Sequence, residues 1–402
     1  MKLLNISTLL LLFASSSLSV EPYPWIPGNR PVSEPVYPEI LMDAAEAIAA
    51  VAKGDLLPID LRGIDDFSAG HIPGAVWKQI TEPNPSQALL LYADDFEAIG
   101  SSFLLLDGDP APRILRGGVE AWRAAGGLLV AGDPKRNRKA GLIDESVKQY
   151  VEWAEVYEAF AREEFEIIDL RGRDAWMSYE DVDGLRAGHI PHSLPYDFTD
   201  LLLGRRWPDP AAARAKFLKL GPREGDQVNS NATFILYGHD PADSRLGLAY
   251  LLLRLMDVDT RVYLGGWTDW ANSADSPVVR ILPTEKLEGM LRPENPNLSD
   301  QVSYETLVLL DLRGNLDFNR RHLPGSLSLP IHLFRDSLST LGDEHWRDED
   351  RGKLPLVLYC YGPDCIRSRN GASMAARQGF HNLLWYRDGV EGWRRADLPL
   401  YK

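Results

Sequence analysis

Cysteine is almost missing from this chain: its 402 residues carry two, Cys360 and Cys365, and both fall in one short loop. A disulfide framework is thereby excluded, and a chain long enough to bury its own core does not need a staple. Positive charge is also short, with 43 Lys and Arg against 58 Asp and Glu and a net charge of -15. That balance speaks against a nucleic-acid partner, because phosphate binding draws on clustered Lys and Arg. Long apolar runs are scarce too. The run that begins the chain, within Met1 to Val20, is shorter than the roughly 20 apolar residues a membrane helix needs. One Lys, a Leu-rich centre and the small-x-small Ser17-Leu-Ser19 give residues 1–19 the pattern of a cleaved export signal, with an uncleaved anchor as the alternative. The expectation is a periplasmic or secreted protein without a stable membrane span after cleavage, in a compartment where neighbouring thiols can oxidise.

What is present is an ordinary globular composition, 45% hydrophobic and 25% charged, over a length that suits two to four domains. After a Pro-dense lead-in from Glu21 to Tyr37, an internal repeat sets the organisation. Asp60-Leu-Arg62-Gly, Asp169-Leu-Arg171-Gly and Asp311-Leu-Arg313-Gly each close an apolar run. Each is followed by a histidine turn: Gly70-His71-Ile-Pro73, Gly188-His189-Ile-Pro191 and Arg321-His322-Leu-Pro324. A second apolar run then ends in Tyr plus one small residue, Tyr92-Ala93, Tyr237-Gly238 and Tyr359-Cys360. A Gly- and Trp-bearing segment closes each copy, ending at Trp122, Trp270 and Trp393. Short apolar runs alternate with helical tracts such as 39–51, 147–161 and 366–378, the pattern of a parallel sheet. The fold class expected is α/β, as three tandem domains over residues 36–133, 145–285 and 286–402, each a parallel sheet flanked by helices on both faces.

Most landmarks have a structural reading. All three copies keep Asp-Leu-Arg whether or not they keep a thiol, so it is expected to form a local ion pair that fixes the histidine turn. One histidine per copy is a poor metal constellation, since a site needs several converging ligands. The tryptophans read as core aromatics pinning the last helix. The exception is the segment Leu354 to Ala372, where a buried run ends on Cys360, turns through Gly362-Pro363, meets Cys365 and enters a helix carrying Arg367 and Arg369. Helix-terminal amides and nearby guanidinium groups favour a thiolate. Ala93 and Gly238 stand where Cys360 stands and offer no nucleophile, so the first two copies are expected to be silent there.

With these motifs together, the chain resembles the rhodanese, or sulfurtransferase, superfamily over roughly residues 36–402. Gly379-Phe380-His381-Asn382 and Trp385 to Gly389 extend the likeness in the third copy. The resemblance implies a cysteine that takes sulfane sulfur from a donor, carries it as a persulfide and gives it to a thiol or cyanide. It maps the family's cysteine onto Cys360, the persulfide cradle onto Tyr361, Gly362, Asp364 and Ile366, and the residues opening the next helix onto Arg367 and Ser368. No cofactor or metal is implied. Six residues separate Cys360 from Arg367, more than in many single-domain members, and they include Pro363, which has no amide to donate, and Asp364, which would repel a dianion. Both weigh against thiosulfate as the donor. An enlarged loop also occurs in dual-specificity phosphatases, but Tyr359 stands where they carry His.

The second thiol makes the third copy similar to periplasmic rhodanese-like proteins that carry two cysteines in this loop and accompany quinoprotein dehydrogenases, with Ile366 where those often have Trp. Cys365 is placed either to resolve a persulfide on Cys360 or to be the primary nucleophile itself. The leading expectation is an exported sulfurtransferase acting through a Cys360 persulfide, with a small sulfur donor and a thiol or cyanide acceptor. The alternative is a thiol-disulfide or partner-binding module that uses the pair toward a periplasmic redox protein.

Overall fold

The computed structural model describes residues 40–77, 88–107, 111–133, 149–159, 165–182, 184–202, 207–220, 232–291, 307–338 and 353–402. The expected export signal and Pro-dense lead-in lie outside the described residues. Three all-parallel sheets account for the repeat, so the α/β class holds. The first contains β1 (Leu41–Met42), β2 (Leu56–Asp60), β3 (Val76–Trp77), β4 (Ala88–Tyr92) and β5 (Arg113–Leu115), in the order β1-β5-β4-β2-β3. The second contains β6 (Phe165–Asp169), β7 (Leu194–Pro195), β8 (Thr233–Tyr237) and β9 (Thr260–Val262), in the order β7-β6-β8-β9. The third contains β10 (Val278–Ile281), β11 (Val308–Asp311), β12 (Leu327–Ser328), β13 (Leu356–Tyr359) and β14 (Asn382–Tyr386), in the order β10-β14-β13-β11-β12.

The central strand of each sheet is almost wholly apolar because a parallel sheet buries both faces. Period-two alternation divides its side chains between two cores. In β8, Phe234 and Leu236 enter a core shared with the first repeat, whereas Ile235 and Tyr237 enter one shared with the third. In β13, Leu356 and Leu358 join the core of the middle repeat, and Val357 and Tyr359 face the Thr284–Leu291 helix and the last helix of the chain. The middle sheet is thus packed on both sides by its neighbours.

Two details tie the repeats further. The Glu97–Leu106 and Ser244–Leu255 helices, each following the loop after its central strand, cross at Gly100 and Gly247. A Cβ on Gly247 would lie 2.2 Å from the Ser101 nitrogen, so the backbones meet where only glycine fits. At the other joint, β10 serves two repeats. Its Val279 pairs with His189 just as Val130 pairs with His71 and Tyr401 with His322, closing the middle repeat. The same strand is also the edge of the third sheet, in register with β14. The boundary expected at 285/286 therefore falls inside the third sheet's set of strands, because a segment read as the tail of one copy is also the first strand of the next.

Candidate active site

The landmarks build the same frame three times. Arg62, Arg171 and Arg313 each hold the aspartate two residues back at 2.6 Å and donate to a carbonyl of the histidine turn, on Gly70, Gly188 and Arg321 at 2.7–2.8 Å. The tyrosine ending each central strand receives the N–H of Ile72, Ile190 or Leu323 on its hydroxyl. Burial and then the neighbouring aspartate push those hydroxyls up, so they stay protonated. Each histidine places Nδ1 2.8–3.0 Å from the carbonyl of Phe67, Trp176 or Phe318 and stacks on the same residue's ring. Trp122, Trp270 and Trp393 donate from Nε1 to the carbonyls of Leu128, Pro277 and Pro399, fixing the last helix to the tail beyond it. These are structural roles, and the repeats share them.

The repeats differ in the loop after the central strand. In the third, Cys360 follows β13 with its side chain buried, and its Sγ lies 3.1 Å from the Ser368 hydroxyl and 3.2 Å from the Cys365 carbonyl. The Arg367–Arg377 helix begins two residues after Cys365. Trp385 on β14 donates to the Ser368 oxygen at 2.8 Å, so the hydroxyl that meets Cys360 is itself fixed. Gly389, at φ +56°, lets the start of the last helix press on the loop: a Cβ there would sit 2.5 Å from the Cys360 carbonyl, which accepts from the Val390 N–H.

The Cys360 thiol donates to the Cys365 carbonyl at 3.2 Å, and each thiol shifts the other. For Cys365 the neighbouring Cys360 thiol is the largest influence and lowers its pKa; burial opposes it, while the N–H groups of Arg367 and Tyr361 and the Arg367 charge assist, bringing the thiol down to about 6. For Cys360 the neighbouring thiol and then burial push the thiol up. The arrangement favours a thiol on buried Cys360 and a thiolate on the partly buried Cys365. Thiolates are the nucleophiles in sulfur exchange.

The residues expected to cradle a donor separate into two groups. Tyr361, Asp364 and Ile366 are exposed at the rim. Tyr361 gives its hydroxyl to Asp317 at 2.5 Å, and the Arg367 guanidinium lies 5.3 Å from its ring centroid. Gly362 and Ser368 are buried instead. Ser368, which opens the helix, has its oxygen engaged by Cys360 and Trp385, so it positions the thiol. Gly362 turns the loop, its carbonyl accepting the Cys365 N–H at 3.0 Å.

The other two loops are filled by their own side chains. In the first, Phe96 is fully buried and meets Trp207 of the middle repeat edge-on at 6.0 Å. In the second, Asp243 turns into the loop and accepts the N–H of His239 at 2.9 Å and of Arg245 at 3.1 Å. Sequence reading passed over Asp243 and Arg245. The signal was available, because Gly238 and Arg245 are spaced as Cys360 and Arg367 are.

The family model for the rhodanese-like domain matches residues 152–273 and 295–396, more than half of the chain. The chain belongs to the rhodanese-like family. Among curated relatives, this rhodanese-like chain is 31% identical over 101 residues to the thiosulfate sulfurtransferase GlpE of Glaesserella parasuis, covering 25% of this chain and 83% of that one. It is 30% identical over 105 residues to GlpE of Haemophilus influenzae strain PittEE, covering 26% and 90%. Among solved structures, the 3-mercaptopyruvate sulfotransferase SseA of Escherichia coli aligns at TM-score 0.42 and 23% identity, over 57% of this chain and 98% of that one. The anaerobic ergothioneine biosynthesis enzyme of Chlorobium limicola aligns at TM-score 0.45 and 18% identity, over 61% and 71%.

Proposed function

We propose that the third repeat is the working sulfurtransferase of this rhodanese-like chain, taking sulfane sulfur from a donor such as a polysulfide or thiosulfate and passing it, as a cysteine persulfide, to a thiol or cyanide. The observation that carries the reading is the hydrogen-bonded pair Cys360 and Cys365 between β13 and an arginine-led helix, in a chain with no other cysteine. A sulfane sulfur is electrophilic, a lowered-pKa thiolate attacks it, and backbone amides of the loop stabilise the anion formed. The GlpE relatives are thiosulfate sulfurtransferases by name, which supports the reaction class. Export belongs to the same proposal and is supported by the composition of residues 1–19.

The test is intact mass of the reduced protein after incubation with thiosulfate and, separately, polysulfide. A gain of one sulfur that cyanide removes supports the proposal. The hydrogen bond from the Cys360 thiol to the Cys365 carbonyl also favours a second reading, a dithiol module for a redox partner. A stable Cys360–Cys365 disulfide, inert to both donors once reduced, would select it.

A further inference from the structure

The middle and third repeats can be laid over each other through their strand tyrosines, Tyr237 and Tyr359. Six residues beyond each lie Asp243 and Cys365, and two further on lie Arg245 and Arg367. Asp243 accepts the N–H of His239 and of Arg245, and the forked Arg245 side chain holds its two oxygens at 2.7 Å each. Burial alone would raise this carboxyl, but the guanidinium and the two N–H groups outweigh it and hold it below the ordinary aspartate range. The N–H groups of Tyr361 and Arg367, the same two positions, and the Arg367 charge favour the Cys365 thiolate. Both repeats thus place an ionisable side chain at this same point ahead of an arginine, a carboxyl in one and a thiol in the other. Cys360 is 1% exposed, and its sulfur is engaged by Ser368 and by Cys365. The Ser368 hydroxyl and N–H favour its thiolate, but burial leaves it no open line to a donor, whereas Cys365 is only partly buried.

We propose that Cys365, rather than the strand-end Cys360, is the thiolate that first takes sulfur, and that Cys360 is its proton-bearing resolving thiol. This rests on the sulfur-transfer reading above. In the first step the Cys365 sulfur attacks the donor's outer sulfur; a new S–S bond forms, the donor's S–S bond breaks, and the donor residue leaves with the electron pair, as sulfite from thiosulfate. With an acceptor thiolate present, that thiolate takes the outer sulfur and Cys365 leaves as thiolate. Without one, Cys360 attacks the inner sulfur, the Cys360–Cys365 bond forms, and the outer sulfur departs as hydrosulfide carrying the Cys360 proton. Two electrons and two protons from a dithiol reductant then reopen the pair.

The experiment uses the full chain, reduced and then freed of reductant, exposed to thiosulfate or polysulfide without an acceptor and read by intact mass and sulfide release. Cys360→Ser is expected to gain one sulfur and keep it. The wild type is expected to release sulfide and finish two hydrogens lighter. Cys365→Ser is expected to stay unmodified, as is Cys365→Asp, which copies the middle repeat and should therefore fold. Loading of Cys365→Ser or Cys365→Asp but not of Cys360→Ser would overturn the assignment and place the first persulfide on Cys360. Loading of no form, wild type included, would overturn the sulfur-transfer reading itself. The thiol can also be moved. In a chain with both cysteines changed to Ser, Asp243→Cys should react with iodoacetamide at pH 7 at least tenfold faster than a free cysteine peptide; a rate equal to the peptide's would remove the basis of the proposal.

Discussion

Trp176 of the middle repeat meets Trp385 of the third edge-on, with ring centroids 6.0 Å apart and planes at 88°. Trp385 is the residue that fixes the Ser368 hydroxyl against Cys360, so a repeat without a thiol supports the one that has two. Arg369, on the helix that opens just after Cys365, adds a second tie by donating to the His192 carbonyl of the middle repeat at 3.1 Å. The middle repeat, which has no thiol, thus packs against the residues that hold the Cys360 loop.

This relationship predicts the effect of Trp176→Phe. The change removes the edge contact and the Nε1 hydrogen bond to the Ser193 carbonyl while keeping a ring to stack on His189. Stability should fall by about 1–3 kcal/mol, the sum of one aromatic pair and one buried hydrogen bond. The rate of sulfur loading should fall several-fold with the fold intact, since small displacements of a reacting group are costly. Stopped-flow loading beside a urea melt separates the two, and an unchanged rate would deny the middle repeat its supporting role.

The crossing at Gly100 and Gly247 makes a sharper structural prediction. Gly247→Ala forces a methyl against the backbone of Gly100 and Ser101, which cannot rotate away as a side chain would. Overpacking of this kind costs about 1–3 kcal/mol. Ala at Gly289, where nothing lies within 4 Å of an added Cβ, serves as the control and should be neutral or slightly stabilising. Equal melting of the two variants would mean that the helices separate easily.

Much of this was legible in the sequence, and the parts that were not share a cause. The three copies, the parallel sheets and the Asp-Leu-Arg frame follow from local patterns such as Asp169-Leu-Arg171, because period and spacing encode strand, turn and ion pair within a few residues. Double use of β10 was not legible, since nothing local in Val278–Ile281 says that it pairs with both His189 and β14. The two thiols could not be told apart by spacing, which left either as the first nucleophile. The burial of Cys360 and its contact with Ser368, itself held by Trp385, come from tertiary packing. Asp243 was the missed clue, visible as spacing but meaningful only once its carboxylate was seen inside the loop.

His189 predicts a pH dependence of stability. It is fully buried, and burial, with Arg171 and Arg369 adding to it against the Trp176 carbonyl, lowers its pKa to about 3. Below the ordinary histidine value of about 6.5 the unfolded chain takes up a proton that the folded chain refuses, so stability falls as pH drops through 6.5 toward 3. Between pH 7 and pH 5 this residue alone should cost about 2 kcal/mol. Urea unfolding at both pH values should show His189→Gln losing less stability than the wild type by that amount. An identical loss in both would mean that the folded chain accepts the proton.

Arg367 links the charge of the loop to its chemistry. Its backbone N–H and its guanidinium both favour the Cys365 thiolate, and only the guanidinium can be removed by substitution. In a Cys360→Ala background Cys365 loses the neighbouring thiol that most lowers it, so the midpoint for alkylation should rise from about 6 toward the ordinary thiol value of about 8.5. Arg367→Gln in the otherwise native chain should raise the midpoint by roughly one unit. Below pH 6 the wild-type rate should fall about tenfold per unit, because the reactive species is the thiolate. Iodoacetamide kinetics from pH 4.5 to 9.5, with peptide mapping to assign the labelled sulfur, read all three profiles. If the label lands on Cys360, or if Arg367→Gln leaves the midpoint in place, then the guanidinium over Tyr361 serves the rim of the loop and not its sulfur.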